Sequence, residues 1–157
     1  MEPRIGIKPE DRSSVAHILA KILADEFLLY TKTRNAHWNV EGPAFHDKHI
    51  FFESQYNDLA EIVDNVAERM RQLGHYAPAT LKQFLELTQF TELMEERNDA
   101  EGFIKELLSD HESLIIELRE NINRFADEFK DLGTSDFITG LMETHEKMAW
   151  MLRAHLS

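Results

Sequence analysis

The chain contains no cysteine among its 157 residues, which excludes disulfide bonds and thiolate metal sites. Any metal ion must therefore be bound by nitrogen and oxygen ligands from histidine, aspartate and glutamate. Glycine and proline are scarce, with six and four residues, and this depletion favours long helices over short strands and turns. No apolar run approaches the ~20 residues of a membrane span, and the N-terminal residues lack the apolar core of a signal peptide. We therefore expect a cytoplasmic protein that does not enter a membrane.

Basic residues are outnumbered by acidic ones, 17 to 29, which gives a formal net charge of −12. This balance argues against a general binder of polyanions, because contacts to phosphate require lysine and arginine. It suits a protein that attracts cations.

Apolar residues recur at helical spacing in four long segments. The segments span residues 13–40, 45–73, 100–129 and 134 onward. Residues 78–99 form a long connection, within which residues 81–87 could form a short helix. Four long amphipathic helices in a chain of this size predict an all-α antiparallel four-helix bundle. The long connection implies one crossover, as in ferritin-like bundles, within a single domain that covers 1–157 and has a short N-terminal tail at 1–12.

Residues typical of helix ends flank these segments. One of the serines at 13–14 is a candidate N-cap of the first helix, with Pro9 just outside it. Gly74 is a natural C-cap of the second helix. The third helix is expected to end at 132–133, and a residue at 134–135 is a candidate N-cap of the fourth.

The predicted second helix carries four side chains that can bind metals, those of His49, Glu53, Asp64 and Glu68. Glu53 lies four residues after His49, and the two carboxylates at 64 and 68 have the same spacing, so each pair stacks on one helix face. With His49 set at zero, all four fall between 0° and about 100°, whereas the apolar stripe centres near ~290°. The four candidates therefore share a sector that does not face the bundle core.

Distance along the helix prevents one chain from building a single site with all four side chains. His49 and Asp64 are fifteen positions apart, about 22 Å at 1.5 Å per residue. If two copies of the helix pack antiparallel about a two-fold axis, His49 of one chain approaches Asp64 and Glu68 of the partner subunit. Each dimer then has two equivalent sites. Ala60 and Ala67 lie on the same sector and allow the helices to approach closely.

The same carboxylates have a simpler interpretation, as solvated charges on an outer helix face. For the carboxylates alone that interpretation is the better one. The histidine on the same face, together with the residues upstream of it, favours a metal site.

Three stretches of the sequence combine into a specific motif. They are AHWNVEGPAFHDKHIFFE (36–53), DNVAERMRQLG (64–74) and GTSDFITGLMETHEKMAWMLRAHL (133–156). The first two contain a His-Trp-Asn triplet, a second histidine twelve residues later, and an Asp-x3-Glu pair that begins fifteen residues after that. In these features the chain resembles the Dps family, the DNA-binding proteins from starved cells, which are mini-ferritins. The resemblance covers nearly the whole chain.

Carried over residue by residue, the resemblance implies an iron site that is shared between two subunits. His37 and His49 would come from one subunit, accompanied by Glu53. Asp64 and Glu68 would come from its two-fold mate. The family usually has aspartate at the position of Glu53, and the longer glutamate should still reach the metal.

The resemblance also implies a function. The implied protein is a ferroxidase, which oxidises Fe(II) to Fe(III), preferentially with hydrogen peroxide, and protects against oxidative damage. The ferric mineral would be stored inside a hollow dodecamer built from two-fold dimers, without an organic cofactor. Imidazole and carboxylate together satisfy ferrous iron, which agrees with this function. The alternative is a non-enzymatic cage that binds or condenses DNA and protects it physically.

Another ferritin arrangement places a Glu-x-x-His motif on each of two helices and aims both at the bundle centre. No Glu-x-x-His occurs in the sequence, so we do not expect that type of site. Five other histidines lack a comparable set of partners, and we interpret them as surface or core residues: His46, His75, His111, His145 and His155.

Asp131 and Asp136 flank the start of the predicted fourth helix. Their charge complements the helix dipole. By family position, they would also line the three-fold pores through which ferrous ions pass.

DNA binding by members of this family often uses lysine-rich tails. Residues 1–12 balance three basic residues against three acidic ones, and no further lysine or arginine follows Arg153. Since the body of the protein is also acidic, we expect weak or absent DNA binding at physiological salt.

Overall fold

The computed structural model describes residues 2–157, in which regular structure is almost entirely helical. Five α-helices and one π-helical turn follow one another along the chain: α1 (Pro9–Asn39), α2 (Phe45–Gln72), α3 (Leu81–Leu87), α4 (Ala100–Asn123), the π-helical turn (Arg124–Glu128) and α5 (Leu132–Ala154). The four long helices and the short helix of the connection confirm the prediction from hydrophobic periodicity. None of the helices in this part of the chain is long and apolar enough to cross a membrane.

The long helices form two antiparallel pairs. α1 packs chiefly against α2, and α4 packs chiefly against α5. α1 also runs antiparallel to α4. Lys32 pairs with Glu106, whereas Asp25, about two turns earlier on α1, faces Glu117 further along α4. The connection between α2 and α4 therefore crosses the length of the bundle. This topology confirms the ferritin-like bundle with one crossover.

All four long helices contribute apolar side chains to one core. Phe52 of α2 and Phe103 of α4 meet in it edge to face, with ring centroids 6.3 Å apart. Burying a side chain of this size stabilises the folded state by roughly 1.5–3 kcal/mol. Leu19, Leu114 and Leu152 are also fully buried in this core, which leaves the opposite helix faces free for other roles.

α1 begins at Pro9, several residues earlier than predicted. Proline suits the first turn of a helix, because its φ is already helical and its missing N–H has no partner to lose there. Glu10 and Asp11 place negative charge at the positive end of the helix dipole. Ser14 lies inside the helix, where its hydroxyl donates to the Glu10 carbonyl oxygen at 3.0 Å. The prediction of a serine N-cap is therefore wrong.

α5 begins at Leu132, and its N-cap is Asp131 rather than a residue at 134–135. The Asp131 Oδ1 atom accepts a hydrogen bond from the Thr134 backbone N–H at 2.9 Å, and Oδ2 accepts from the Thr134 hydroxyl. Arg69 of α2 donates to the same Oδ1 atom at 3.2 Å. The pair at 132–133, predicted to end the third helix, thus forms the first turn of α5. The preceding helix ends instead at the π-helical turn.

Gly74 ends α2, as predicted. Its φ is +90°, a conformation that favours glycine. The Gly74 N–H donates to the Arg71 carbonyl oxygen at 3.0 Å, and the His75 N–H donates to the Met70 carbonyl oxygen at 3.1 Å. These two bonds satisfy carbonyl groups that the helix end leaves open.

Two buried charged side chains of α1 fasten the crossover. The Asp25 Oδ1 atom accepts hydrogen bonds from the Thr88 hydroxyl and from the Gln89 backbone N–H, the latter at 2.7 Å. Lys32 donates to the Thr91 carbonyl oxygen at 3.1 Å and also pairs with acidic side chains of α4. The connection is therefore held by specific bonds to buried charges, which makes its position dependent on those charges.

The carboxyl group of Glu117 on α4 gives a testable pH effect. Burial, and then the neighbouring Asp25 carboxylate, raise the pKa of Glu117 from its ordinary 4.5 to about 7. Between these values the folded chain binds a proton that the unfolded chain releases, so stability falls as pH rises through this window. We expect Glu117→Gln to have a higher Tm than the native chain at pH 8 and to gain little at pH 4.5. Thermal unfolding followed by circular dichroism at both pH values measures this.

Glu120→Gln, on the exposed part of the same helix, is the matched control and should leave Tm unchanged at both pH values. If Glu117→Gln and the native chain unfold at the same temperature at pH 8, the raised pKa has no consequence for stability.

Candidate metal site

Two stacked histidine rings lie where α1 ends and α2 begins. His37 is in the last turn of α1 and His49 is near the start of α2. Their ring centroids are 3.8 Å apart and the ring planes differ by 20°. The turn between the helices includes Gly42 at a φ of +112°, which allows the chain to reverse sharply. The helix–turn–helix geometry explains why two histidines twelve positions apart in sequence come into contact.

Each ring is oriented by the backbone of the other helix. The Nδ1 atom of His37 lies 2.8 Å from the His49 carbonyl oxygen, and the Nδ1 atom of His49 lies 2.8 Å from the His37 carbonyl oxygen. Because a carbonyl oxygen can only accept, each Nδ1 carries the hydrogen and donates it. The neutral rings then keep their lone pairs on Nε2, the form in which histidine binds a metal. The pair therefore offers two nitrogen ligands whose tautomer and orientation are fixed.

Tyr56 connects this pair to Glu53. The Tyr56 ring meets the His37 ring nearly edge to face, with centroids 5.1 Å apart. Its hydroxyl donates a long hydrogen bond of 3.5 Å to the Glu53 Oε1 atom. The guanidinium of Arg34 lies over the Tyr56 ring, 4.3 Å from its centroid. Glu53, which is half-buried, is thus associated with the histidine pair through an aromatic neighbour.

Asp64 and Glu68 lie much further along α2. Both are exposed, and neither forms an ion pair within residues 2–157. One chain contains, in that same range, no group of three or more histidine, aspartate or glutamate side chains that could hold a metal ion. A single subunit therefore brings His37 and His49 together but does not bring Asp64 and Glu68 to them.

The two aspartates considered for an ion pore have different surroundings. Asp131 is 1% exposed, and both of its oxygens accept hydrogen bonds, from Thr134 and Arg69. A buried carboxylate with engaged oxygens is poorly placed to receive a passing ion. Asp136, in the first turns of α5, is exposed. Only Asp136 keeps a carboxylate that is open to solvent, and its role in a pore stays a prediction.

A buried polar cluster in the bundle core has no counterpart in the predictions from sequence. His111, His145 and Glu26 are all fully buried, and hydrogen bonds connect them. A signal for this cluster was present, since His111 lies four residues after Leu107 and three before Leu114, on the apolar stripe of its helix. Core spacing predicts that such a histidine is buried, but it does not predict the partners of that histidine. For His111 and His145 the core interpretation is confirmed.

Comparison with known proteins gives a consistent result. A family model described as a ferritin-like domain matches residues 16–157. A low temperature-induced protein of Nostoc sp. is 44% identical over 152 residues, which are 97% of this chain and 85% of that protein. DNA protection during starvation protein 2 of Bacillus anthracis is 37% identical over 143 residues, which are 91% of this chain and 97% of that protein.

Solved structures agree with the sequence comparisons. The crystal structure of Dps from Vibrio cholerae is described as a member of a broad superfamily of ferritin-like diiron-carboxylate proteins. It superposes with a TM-score of 0.93 at 29% identity and covers 99% of this chain and 97% of its own.

The two aspartates of the α5 N-terminus form a matched pair for experiment. We expect Asp131→Ala to lower the free energy of unfolding by about 1–3 kcal/mol, because it removes a helix cap and leaves the Nη2 atom of Arg69 without its acceptor. Asp136→Asn should change it by less than about 0.5 kcal/mol, as is usual for an exposed residue. Urea denaturation measures both changes. Similar losses in the two variants would contradict the capping role of Asp131.

Proposed function

The chain belongs to the Dps family of ferritin-like proteins, and from that membership we propose that it oxidises ferrous iron and stores the ferric product. In this proposal the chain is a ferroxidase that uses hydrogen peroxide and assembles into a hollow dodecamer of two-fold dimers. The observation that carries it is the reciprocal pairing of His37 and His49. Residues 2–157 contain no complete group of three metal ligands, so in this proposal the two oriented histidines, with Glu53 beside them, form half of a metal site.

The other half is available on α2 of a second subunit. Asp64 and Glu68 are four residues apart, exposed and on the face of α2 that is turned away from the core. Antiparallel pairing of two α2 helices about a two-fold axis brings Asp64 and Glu68 of the partner subunit toward the histidine pair. The two-fold rotation generates a second, equivalent site, so a dimer has two such sites.

The donor set fits iron as the substrate. Ferrous iron accepts imidazole nitrogen and carboxylate oxygen together. The carboxylates also offset the charge that increases when ferrous iron becomes ferric. Two ferrous ions supply the two electrons that reduce one hydrogen peroxide to two waters with two protons. Electrons taken in pairs leave no hydroxyl radical, which is the basis of the proposed protection against oxidative damage.

The charge of the chain supports the delivery of iron. A net charge of −12 per subunit raises the local concentration of cations around the assembly. Asp136 is the exposed carboxylate that we propose for the pore through which ferrous ions pass.

The shared site can be tested by mixing two inactive variants. One carries His37→Ala and His49→Ala, and the other carries Asp64→Ala and Glu68→Ala. Each variant alone should oxidise ferrous iron no faster than buffer. When the two are unfolded, mixed in equal amounts and reassembled, half of the dimers are mixed and each of these has one intact site. We therefore expect about a quarter of the native rate, measured as ferric absorbance after peroxide is added without oxygen.

Reassembled homogeneous samples of each variant are the controls, and the size of every assembly is checked by light scattering. No recovery of rate in a mixed sample of native size would show that the ligands act within one chain or that this is not the oxidation site.

The alternative function, a cage that condenses DNA, makes a different prediction. We expect the purified assembly not to retard plasmid DNA at neutral pH and physiological salt, because the acidic body and balanced tail offer few phosphate contacts. Gel retardation at a series of salt concentrations measures this. Retardation that weakens as salt increases would favour the DNA-condensing cage, above all if the iron oxidation rate matched that of buffer.

A further inference from the structure

Three helices are connected at the bundle centre by one chain of hydrogen bonds, separate from the candidate metal site. The Oε1 atom of Glu26, on α1, lies 2.8 Å from the Nε2 atom of His145, on α5. The Nδ1 atom of His145 lies 2.9 Å from the Nδ1 atom of His111, on α4. All three side chains are 0% exposed. We call these three residues the core triad.

The contact between the two histidines requires one proton. Each neutral imidazole has one N–H and one nitrogen lone pair. Because the two Nδ1 atoms face each other at 2.9 Å, one of them must carry a hydrogen and the other must accept it. The hydrogen bond exists only while a single proton lies between the two rings.

A second proton would disrupt this contact. On the accepting Nδ1 atom it would make two N–H groups point at each other, and on the Nε2 atom of His111 it would create a buried cationic ring in a medium of low dielectric constant. Burial, and then the charge of His145, lower the pKa of His111 well below its ordinary 6.5. The Nε2 atom of His111 has no hydrogen-bond partner among the described residues, so nothing on its other side would stabilise the cation.

Within residues 2–157, Glu26 is the carboxylate that hydrogen-bonds to the histidine pair. The buried residues of α2 include no ionisable side chain, and the buried residue of α3 is Phe84. On α1, Asp25 and Lys32 engage the crossover and acidic side chains of α4. On α4 itself, Asp110 pairs with Lys32, and Glu117 faces Asp25.

We propose that the core triad is an acid-sensitive latch, which joins α1, α4 and α5 while its histidines share one proton and opens the bundle core when they take up a second. The unfolded chain protonates such a histidine below pH 6.5, whereas the folded chain resists it. The contribution of the core triad to the free energy of unfolding is therefore fully present above pH 6.5 and is lost as pH falls below that value. For one histidine the ratio of folded to unfolded chain falls by up to about tenfold per pH unit.

The latch is tested by comparing three chains in their assembled form. Thermal unfolding is followed from pH 7.5 to 5.0 for the native chain, His111→Gln and the control His17→Gln, which changes an exposed histidine of α1. We expect the native chain and His17→Gln to lose Tm in parallel below pH 6.5. His111→Gln should lose distinctly less over the same interval, because glutamine cannot take up the second proton. Parallel loss in all three chains would overturn the proposal.

A second measurement on the native assembly does not depend on the variant folding. Hydrogen–deuterium exchange at the imidazole C2 position, read by mass spectrometry as a function of pH, reports the protonation of each histidine separately. We expect the transition of His111 to lie well below pH 6.5 or to coincide with acid unfolding. A transition of His111 at or above pH 6.5 in the folded assembly would show that the core triad tolerates the second proton and is not a latch.

Discussion

The reciprocal hydrogen bonds between His37 and His49 connect the proposed chemistry to the packing of α1 against α2. Each ring is oriented by a carbonyl oxygen that belongs to the other helix. Neither ring can keep its tautomer and position unless the two helices meet at the correct separation and rotation. The apolar core, the sharp turn at 40–44 and the caps at the helix ends therefore act on the candidate site even though they do not touch it. Rigid elements that carry ligands hold them more accurately than loops do.

α2 serves two purposes because its faces differ. One face carries residues such as Phe52, Leu59 and Val66 into the core. Another presents Asp64 and Glu68, which are exposed and free of ion pairs inside the described chain. Since these carboxylates make no contribution to the core of their own subunit, they are free to be used by another. The separation explains how one helix can stabilise a bundle and also provide half of a site at an interface.

Periodicity alone predicts most of this fold, because the four long segments place apolar residues at a spacing that only helices satisfy. The helix starts do not follow from periodicity. Pro9 begins α1 and Asp131 caps α5, while the serines and threonines that resemble caps lie inside the helices. The position of the α5 N-cap depends on Arg69, which is distant in sequence and donates a hydrogen bond to Asp131. Local propensity cannot register such a tertiary contact.

The pairing of His37 with His49 follows from the family motif, but the exchange of hydrogen bonds between them depends on coordinates. The core triad shows more clearly which contacts cannot be predicted from the sequence. Histidine at a core position predicts burial, yet it does not reveal whether a partner will lie across the bundle. Glu26 and His145 are 119 positions apart, and only the packing of the whole bundle brings these two side chains together.

The polar groups at the bundle centre and those at the subunit surface thus have different roles. In the ferritin arrangement with Glu-x-x-His motifs, the centre of the bundle binds metal. Here that region contains a glutamate and two histidines that satisfy one another through hydrogen bonds of 2.8 and 2.9 Å, and the candidate metal ligands lie at the edge. Burial of polar and ionisable groups costs desolvation free energy, and the hydrogen bonds within the core triad offset part of that cost while they connect α1, α4 and α5. Under the two proposals, folding of the subunit depends on protons at its centre, whereas iron binding depends on a second subunit, so the two processes respond to different conditions.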